Sequence, residues 1–432
     1  MKTKTLLVVC ALLVSFLTAG FVRTAPVPAR KASYDWPQWR GPNRDDVSRE
    51  TGLLKSWPQN GPKLLWTSEE AGIGYSGPAI VGDRLYTMGG DEKNDFVIAL
   101  DVRKGANVWS TPIGAYVQNR YGSGPRGTPT VDGAYLYALN SAGNLVCLKT
   151  DNGEQVWSMN LTGAELGGKR PNWNYSESPL VDSEQVVCSP GGPKGTLAAF
   201  DKKTGKVLWR SQGLTDPAGY SSIVPATVGG VRQYAQLTMK GVAGVAAKDG
   251  RLLWHYPHPK YRTAVIPTPI VYDDYVYAAA GYGAGDVLLK LTPDGDGTKA
   301  QQVYAPEAMS VMDNKHGGVV RVGDYVYGWS DRGGWTCQEF KTGKIMWQSK
   351  KLGRGSLTSA DSMLYCYSED KGTVALVVAG PDGWQEKGRF TLPRHTERRE
   401  FNNNIWTHPV IADGKLYLRD QELIFCYDVR GH

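Results

Sequence analysis

Asp313 and His316 are the residues of this sequence that could do acid–base chemistry together, because they stand three positions apart in one polar stretch. A histidine can act as a general base when a neighbouring carboxylate orients its ring. The same residues are also typical of a solvated loop, in which each side chain bonds to water or backbone. The loop is the simpler explanation, so the sequence assigns no catalytic residue and keeps these two as candidates only.

A larger set of aromatic, basic and polar residues could bind a ligand. Aromatic walls with a few convergent polar groups are what a small-molecule or peptide pocket requires. The arginines among them favour an anionic ligand, such as a carboxylate-bearing cofactor or an acidic glycan. The alternative is that these loops are solvated and that their aromatic rings pack against one another. The candidate ligand-binding residues are Tyr75, Arg120, Tyr121, Arg126, Trp173, Tyr175, Glu177, Tyr220, Arg262, His316, Arg354, Trp406 and His408.

The sequence predicts no metal site. It has no CxxC motif and no Cys/His pairing at zinc spacing. The DGDG stretch at residues 294–297 lacks the spacing and the distal Glu of an EF-hand, so we interpret it as a hairpin turn. The cysteines beyond Cys10 are odd in number and far apart, which does not indicate a disulfide framework. We expect buried, small side chains at Cys147, Cys337 and Cys426, which fall on the small-residue position of the repeat, and we predict no disulfide framework for these three with Cys188 and Cys366.

An internal repeat positions these residues. The stretch 197–209, LAAFDKKTGKVLW, has an apolar run, a polar turn and a second apolar run, which is the pattern of a β-hairpin. The same pattern recurs at residues 97–109, 145–157, 242–254 and 335–347, and in every copy a Gly stands four residues before a Trp. A repeat of this kind decides the fold before any single residue decides a function.

Eight such units fill the chain after residue 62. Further strand patterns precede each hairpin, and four strands recurring about every 40–50 residues are typical of a propeller blade. Residues 63–67, KLLWT, have the end of the repeat without its beginning, and residues 423–430, LIFCYDVR, have its beginning without its end. The sequence therefore predicts an all-β, eight-bladed β-propeller of four-stranded antiparallel blades. An N-terminal strand completes the last blade and closes the ring.

The ends of the chain predict an exported protein. Lys2 and Lys4 precede an apolar run too short to span a bilayer, so residues 1–29 are predicted to be a signal peptide, with an uncleaved membrane anchor as the alternative. Residues 30–62 are predicted to form an ordered arm that wraps the domain surface, and residues 63–432 the propeller. The formal charge of +7 is partly that of the signal, and its mild excess does not indicate nucleic acid binding.

The consensus AxDxxTGxxxW, clearest at Ala199, Asp201, Thr204, Gly205 and Trp209, resembles the tryptophan-docking repeat of the PQQ-like, quinoprotein-type β-propellers. The resemblance covers roughly residues 63–430. It implies that the repeat tryptophans are structural and that each docks against the neighbouring blade. These tryptophans are Trp66, Trp109, Trp157, Trp209, Trp254 and Trp347.

The resemblance implies two classes of function. One contains dehydrogenases that use pyrroloquinoline quinone (PQQ) and calcium to oxidise alcohols or sugars. The other contains scaffolds similar to the propeller lipoprotein of the outer-membrane assembly machinery. This sequence lacks the adjacent cysteines of the dehydrogenase pattern and the lipobox of the lipoprotein.

From these two classes we expect a periplasmic or secreted, non-catalytic scaffold without a cofactor. It would bind an envelope or extracellular protein, peptide or glycan at its funnel face, which is the mouth formed by the loops that enter the innermost strands. A PQQ-dependent oxidoreductase is the alternative, and a carbohydrate-binding accessory module is a third possibility. The sequence does not predict the oligomeric state.

Overall fold

The computed structural model describes residues 34–257, 264–304, 310–399 and 404–431. Within these ranges, 33 strands form eight sheets, which are antiparallel except that the short β1 (Val47–Ser48) pairs parallel with β27 (Gly355–Ala360). The predicted signal peptide and Arg262 lie outside the described residues. No helix in the described ranges has the length and apolar character needed to cross a membrane.

Each sheet is one blade, and seven of the eight take four consecutive strands. The N-terminal arm supplies β1 (Val47–Ser48) and β2 (Lys63–Ser68). Blade 1 contains β3 (Ala79–Val81), β4 (Arg84–Gly90), β5 (Asn94–Asp101) and β6 (Asn107–Ala115), and blade 2 contains β7 (Thr130–Asp132), β8 (Tyr135–Leu139), β9 (Asn144–Lys149) and β10 (Gln155–Asn160). Blade 3 contains β11 (Leu180–Asp182), β12 (Gln185–Cys188), β13 (Ala198–Asp201) and β14 (Val207–Arg210), and blade 4 contains β15 (Val224–Val228), β16 (Val231–Thr238), β17 (Gly241–Ala246) and β18 (Leu252–Tyr256).

The second half of the ring follows the same order. Blade 5 contains β19 (Ile270–Tyr272), β20 (Tyr275–Ala280), β21 (Gly285–Asp294) and β22 (Gly297–Gln302), and blade 6 contains β23 (Val319–Val322), β24 (Tyr325–Ser330), β25 (Gly334–Glu339) and β26 (Ile345–Ser349). Blade 7 contains β27 (Gly355–Ala360), β28 (Met363–Ser368), β29 (Thr373–Val378) and β30 (Glu386–Thr391), and blade 8 contains β31 (Val410–Ala412), β32 (Lys415–Asp420) and β33 (Leu423–Asp428).

The ring closes as the sequence predicts. In blade 8, β2 pairs antiparallel with β33, from Lys63 opposite Asp428 to Ser68 opposite Ile424. The first and last strands of the propeller thus share one sheet, in which β2 is the outermost strand and β33 is paired on both sides. The prediction of an eight-bladed all-β propeller closed by an N-terminal strand is confirmed.

The hydrophobic core lies between neighbouring blades. One cluster joins Met88 and Val97 of blade 1 to Leu136 and Val146 of blade 2. Tyr137, which follows Leu136 in the same strand, points to the opposite face of blade 2 and packs in the cluster shared with blade 3. Since side chains alternate across a strand, the middle strands of each blade bury both faces, which explains their continuous apolar runs.

The repeat tryptophans join the blades. The indole N–H of Trp109 donates to the backbone oxygen of Thr150 in the next blade at 3.2 Å, and Trp157 does the same to Lys202 at 3.0 Å. Trp66, Trp209 and Trp347 make the equivalent bonds to Val102, Ala247 and Gly380. Trp254 instead donates to Gln233 of its own blade, because blade 5 lacks the repeat turn.

The small residues of the repeat lie beside these tryptophans, on the adjacent strand of the same sheet. Ala199 is paired with Trp209, Cys147 with Trp157, and Cys426 with Trp66. A larger side chain opposite an indole would not fit between the sheets. All five cysteines within the described residues are free and buried, which confirms the expectation for Cys147, Cys337 and Cys426.

The first part of the N-terminal arm, residues 34–48, lies in the central channel and not on the outer surface, where the sequence placed it. Residues 51–60 are mostly exposed, and Trp57 packs against Phe390 of the outermost strand of blade 7. Trp36, Arg40 and Arg44 are only 2%, 1% and 2% exposed. The first strands of neighbouring blades lie against one another around the axis, and the arm bonds to these strands, or to the loops before them, in seven blades. Its partners are Ile80, Val131, Pro179, Thr268, Val319, Ser359 and His408.

Candidate functional site

A cavity of about 390 Å³ opens at the funnel face of the propeller. It forms there because the loops that enter the innermost strands all lie at the same end of the ring. Within the described residues it is lined by Trp39, Arg40, Tyr75, Tyr121, Arg126, Trp173, Ser176, Ser178, Tyr220, Ser222, Ile266, Pro267, Thr268, Tyr282, His316, Gly317, Gly318, Trp406 and His408.

Two groups of aromatic rings form the walls. Trp173 is stacked on Tyr220 with ring centroids 5.6 Å apart, and Tyr121 packs against Trp173 at 5.3 Å. Farther round the ring, Tyr75 and Trp406 lie 5.2 Å apart. A backbone bond fixes the first group, since the N–H of Trp173 donates to the Tyr220 hydroxyl at 3.1 Å. The cavity is therefore walled by rings that hold one another in place.

The arm forms the floor of the cavity. Trp39 packs edge-on against His408 at 4.6 Å, and its indole N–H donates to the Thr268 hydroxyl at 3.0 Å. Asp46 lies 3.3 Å from the Arg40 guanidinium and 3.1 Å from His408 Nδ1. The Asp46 carboxylate therefore neutralises the charge of the buried Arg40 where the channel begins.

A belt of three hydroxyls, Ser178, Ser222 and Thr268, links adjacent blades beside the floor. The N–H of Thr128 donates to Ser178 Oγ at 2.8 Å, that of Ser178 to Ser222 Oγ at 3.0 Å, and that of Ser222 to Thr268 Oγ1 at 3.4 Å. Each hydroxyl of this belt accepts a backbone N–H from the preceding blade and keeps its own proton for another acceptor.

His316 has a carboxylate partner, but the partner is Glu369. Their atoms Nδ1 and Oε2 are 3.1 Å apart, and the other oxygen of Glu369 accepts from Arg354 and from Asn404. Burial would raise the pKa of Glu369, yet the bonds from His316 and Arg354 hold it below its usual value. The Asp313 carboxylate instead accepts the N–H of Gly283 at 3.1 Å.

Arg126 enters the cavity wall without a carboxylate partner among the described residues. Its Nη2 donates to the backbone oxygens of Tyr121 and Gly122, its guanidinium lies over the Tyr75 ring, and its buried Nε has no acceptor. Burial lowers the pKa of the Arg126 guanidinium. The described lining contains no Asp or Glu.

Most of the candidate ligand-binding residues line the cavity, and some do not. Tyr175 is buried and donates to Pro190, and Glu177 is buried and accepts from Ser189, so both serve the packing of blade 3. Arg120 is exposed over Tyr121, and Arg354 lies behind Glu369. The candidates that the structure brings together are Tyr75, Tyr121, Arg126, Trp173, Tyr220, His316, Trp406 and His408.

Several lining residues were not among the candidates. Ser178, Thr268 and His408 each stand directly before a Pro that opens an innermost strand, and only His408 was named. Proline holds the preceding residue in an extended conformation, so this recurring position is a signal that could have identified Ser178 and Thr268 of the belt. Ser222 precedes Ile223 and carries no such signal. Trp39 and Arg40 carried no such signal, because their place depends on the path of the arm.

Comparison with known proteins finds two kinds of relative. A sequence model of the family described as outer membrane protein assembly factor BamB matches residues 93–349. BamB of Kangiella koreensis is 26% identical over 242 residues, 52% of this chain and 52% of that protein. BamB of Yersinia pestis is 23% identical over 403 residues, 87% of this chain and 91% of that protein.

The second kind of relative carries the name of an enzyme. Tetrathionate hydrolase of Acidithiobacillus ferrooxidans is 27% identical over 241 residues, 51% of this chain and 44% of that protein. The chain thus spans about half the length of this enzyme and of the Kangiella protein. The quinohemoprotein alcohol dehydrogenase of Comamonas testosteroni superposes with a TM-score of 0.62 at 13% identity, over 92% of this chain and 81% of that one. This likeness shows a shared fold.

Proposed function

We propose a binding role for this chain, which belongs to the PQQ_2 family described as outer membrane protein assembly factor BamB. In this proposal the chain is an exported, non-catalytic scaffold, and a protein, peptide or glycan of the cell envelope inserts one group into the cavity at the funnel face. The predicted signal peptide and the name of the BamB relatives support export to the envelope.

The cavity carries this proposal. Its walls are aromatic, and two of the residues that line it, Arg126 and Trp406, have buried donors without an acceptor among the described residues. A volume of about 390 Å³ lies near the lower end of the range for ligand sites. It therefore suits one small molecule or one terminal group of a larger partner.

The test replaces Tyr121, Trp173 and Trp406 by Ala together and measures capture of envelope components by the purified chain. We expect the triple variant to lose specific partners, because the aromatic walls provide most of the apolar contact area. Leu208→Ala is the matched control, since Leu208 is 52% exposed on the outermost strand of blade 3. Unchanged capture by a folded triple variant would refute this placement of the site.

A PQQ-dependent oxidoreductase is the second candidate function, and the His316–Glu369 pair at the cavity wall favours it. The aromatic rings and Arg126 fit a planar quinone that carries carboxylates. The described residues do not fit the calcium, because no Asp or Glu lines the cavity and no group of three His, Cys, Asp or Glu in these ranges could hold a metal.

Titration of the purified chain with PQQ and calcium separates the two candidates. An oxidoreductase would show a spectral change, a thermal shift and reduction of a dye with alcohols or sugars. A scaffold would show none of the three and would still capture its partners. Dye reduction that His316→Ala abolishes and Arg120→Ala leaves intact would overturn the scaffold proposal.

A further inference from the structure

Arg126 differs from the other basic side chains in the cavity, because it has no carboxylate partner among the described residues. Arg40 and His408 are paired with Asp46, and His316 is paired with Glu369. Arg126 has only backbone oxygens and a Tyr75 ring as partners within the described residues. Arg126 is partly buried, and its charge has no counter-ion among the described residues, so an anion bound beside it would neutralise that charge.

Other polar groups in the cavity have hydrogen-bond donors to offer. The buried indole N–H of Trp406 has no acceptor among the described residues. The belt of Ser178, Ser222 and Thr268 accepts backbone N–H groups and has three hydroxyl protons left to donate. These donors favour a ligand that is rich in acceptors. A ring that has an apolar face and a rim of hydroxyl or carboxylate oxygens offers more hydrogen-bond acceptors than an amine or an amide.

The walls select the shape of the ligand. The Trp173–Tyr220 stack and the Tyr75–Trp406 pair provide flat apolar faces within about 390 Å³. A sugar ring has one flat face of C–H groups and a rim of hydroxyl oxygens, so it can lie on an aromatic ring while its rim meets the belt. A carboxylate on that ring can accept from the planar guanidinium of Arg126.

We propose that the funnel cavity binds the terminal residue of an acidic glycan, a uronic acid whose carboxylate is held by Arg126. This inference rests on the binding role proposed above and names the ligand class of that site. The ring lies against the aromatic walls, and the belt and Trp406 donate to its oxygens. A neutral sugar would leave the Arg126 charge unpaired.

Calorimetric titration with methyl β-D-glucuronide and methyl β-D-glucoside tests the proposal. We expect the glucuronide to bind at least about tenfold more tightly, because one charge-assisted hydrogen bond is worth that much. Arg126→Ala should abolish the preference, and Arg126→Lys should keep part of it. Arg120→Ala is the matched control, since this exposed arginine of the same loop lies outside the cavity.

Three results would overturn the proposal. They are equal affinity for the two sugars, a preference that survives in Arg126→Ala, and tighter binding of a peptide with a terminal Glu than of the glucuronide. If Arg126→Ala does not fold, Arg126→Lys and the two sugars on the unsubstituted chain decide. The sugar preference can fail while the proposed binding role stands. That is the outcome if the unsubstituted chain captures envelope partners that the triple aromatic variant does not capture.

Discussion

Asp95, the second residue of β5, is a carboxyl group buried between blades 1 and 2. Its Oδ2 accepts from the Ser141 hydroxyl at 2.9 Å, and its Oδ1 has no partner among the described residues. Burial raises the pKa of Asp95 from 3.8 to about 7, although the bonds from Ser141 act to lower it. The folded chain therefore favours the protonated acid, while the unfolded chain ionises near pH 4.

Replacing Asp95 by Asn should stabilise the protein at neutral and alkaline pH. The Asp95 carboxyl contributes stability below about pH 4, and this contribution is lost as the pH rises to about 7, the raised pKa. Asn removes the ionisation and can still accept from Ser141. We expect Asp95→Asn to raise the free energy of unfolding by roughly 2–4 kcal/mol at pH 8 relative to its effect at pH 4, measured by denaturant titration.

Asp101, at the other end of the same strand, is the control for Asp95→Asn. Burial would raise the pKa of Asp101, but hydrogen bonds from Arg103 and Lys104 lower it overall. Its contribution to stability is therefore present above about pH 4 and is lost as the pH falls. Asp101→Asn should destabilise the chain at pH 8, the opposite sign. A flat pH dependence for Asp95→Asn would show that Asp95 is ionised in the folded state.

Single residues also show where the sequence stops being informative. His316 could be identified from its type and its place in a polar loop. Its partner Glu369 could not be identified in this way. The two residues are 53 positions apart in the sequence and meet between blades 6 and 7, and the repeat pattern does not connect their positions. Asp313 was the nearer acid in sequence, but its carboxylate is used by Gly283.

At the scale of the element, the docking hairpin depends on a glycine as much as on its tryptophan. A Cβ at Gly205 would lie 2.7 Å from the Trp157 ring, and Gly205 has φ +72°. Two needs thus meet in one residue: a left-handed backbone and room for an indole from the neighbouring blade. The sequence predicted the hairpin from this Gly-to-Trp spacing, and the structure supplies its reason.

Gly205→Ala should separate these two needs when it is compared with Gly82→Ala. Gly82 has a similar φ of +60° but nothing within 4 Å of an added Cβ. We expect Gly82→Ala to lower the free energy of unfolding by about 1 kcal/mol, for backbone strain alone. Gly205→Ala should lower it by a further ~2 kcal/mol, because the methyl group displaces Trp157. Equal losses of unfolding free energy in the two variants, measured by thermal or denaturant unfolding, would show that the contact with the Trp157 indole adds no further cost.

At the scale of the whole molecule, the ring depends on one sheet shared by both ends of the chain. Deleting residues 421–432 removes β33 and leaves β2 without its partner. Trp66 then loses the strand that holds it against Gly105. We expect a fall in melting temperature of more than about 10 °C, because β33 is lost and β2 no longer has a strand to pair with. We also expect association through the exposed edge of β32.

Deletion of His432 alone is the control for this truncation, because β33 then stays in place. Melting temperature and size-exclusion chromatography report the two effects separately. A truncated chain that remains monomeric and melts with the full chain would contradict the role given to the shared sheet.

The path of the arm is the part of the fold that the sequence could not predict. Residues 34–62 carry no repeat, and Trp36 and Trp39 suit a surface groove as well as an interior. What places them inside is a set of bonds to seven different blades, such as that from Arg40 to Val319. The aromatic walls of the site follow from loops attached to predicted strands, whereas its floor follows from this long-range threading.

The arm also has a consequence for the time course of folding. It is synthesised before any blade, yet Arg40 meets Thr268 across 228 positions and Asp46 meets His408 across 362. Contacts so distant in sequence form slowly. The strand β2 directly follows the arm and pairs with β33, so the last blade joins the two ends of the chain. We therefore expect the arm to reach its final contacts late in folding, with Trp36 and Trp39 exposed to solvent until the last blade is complete.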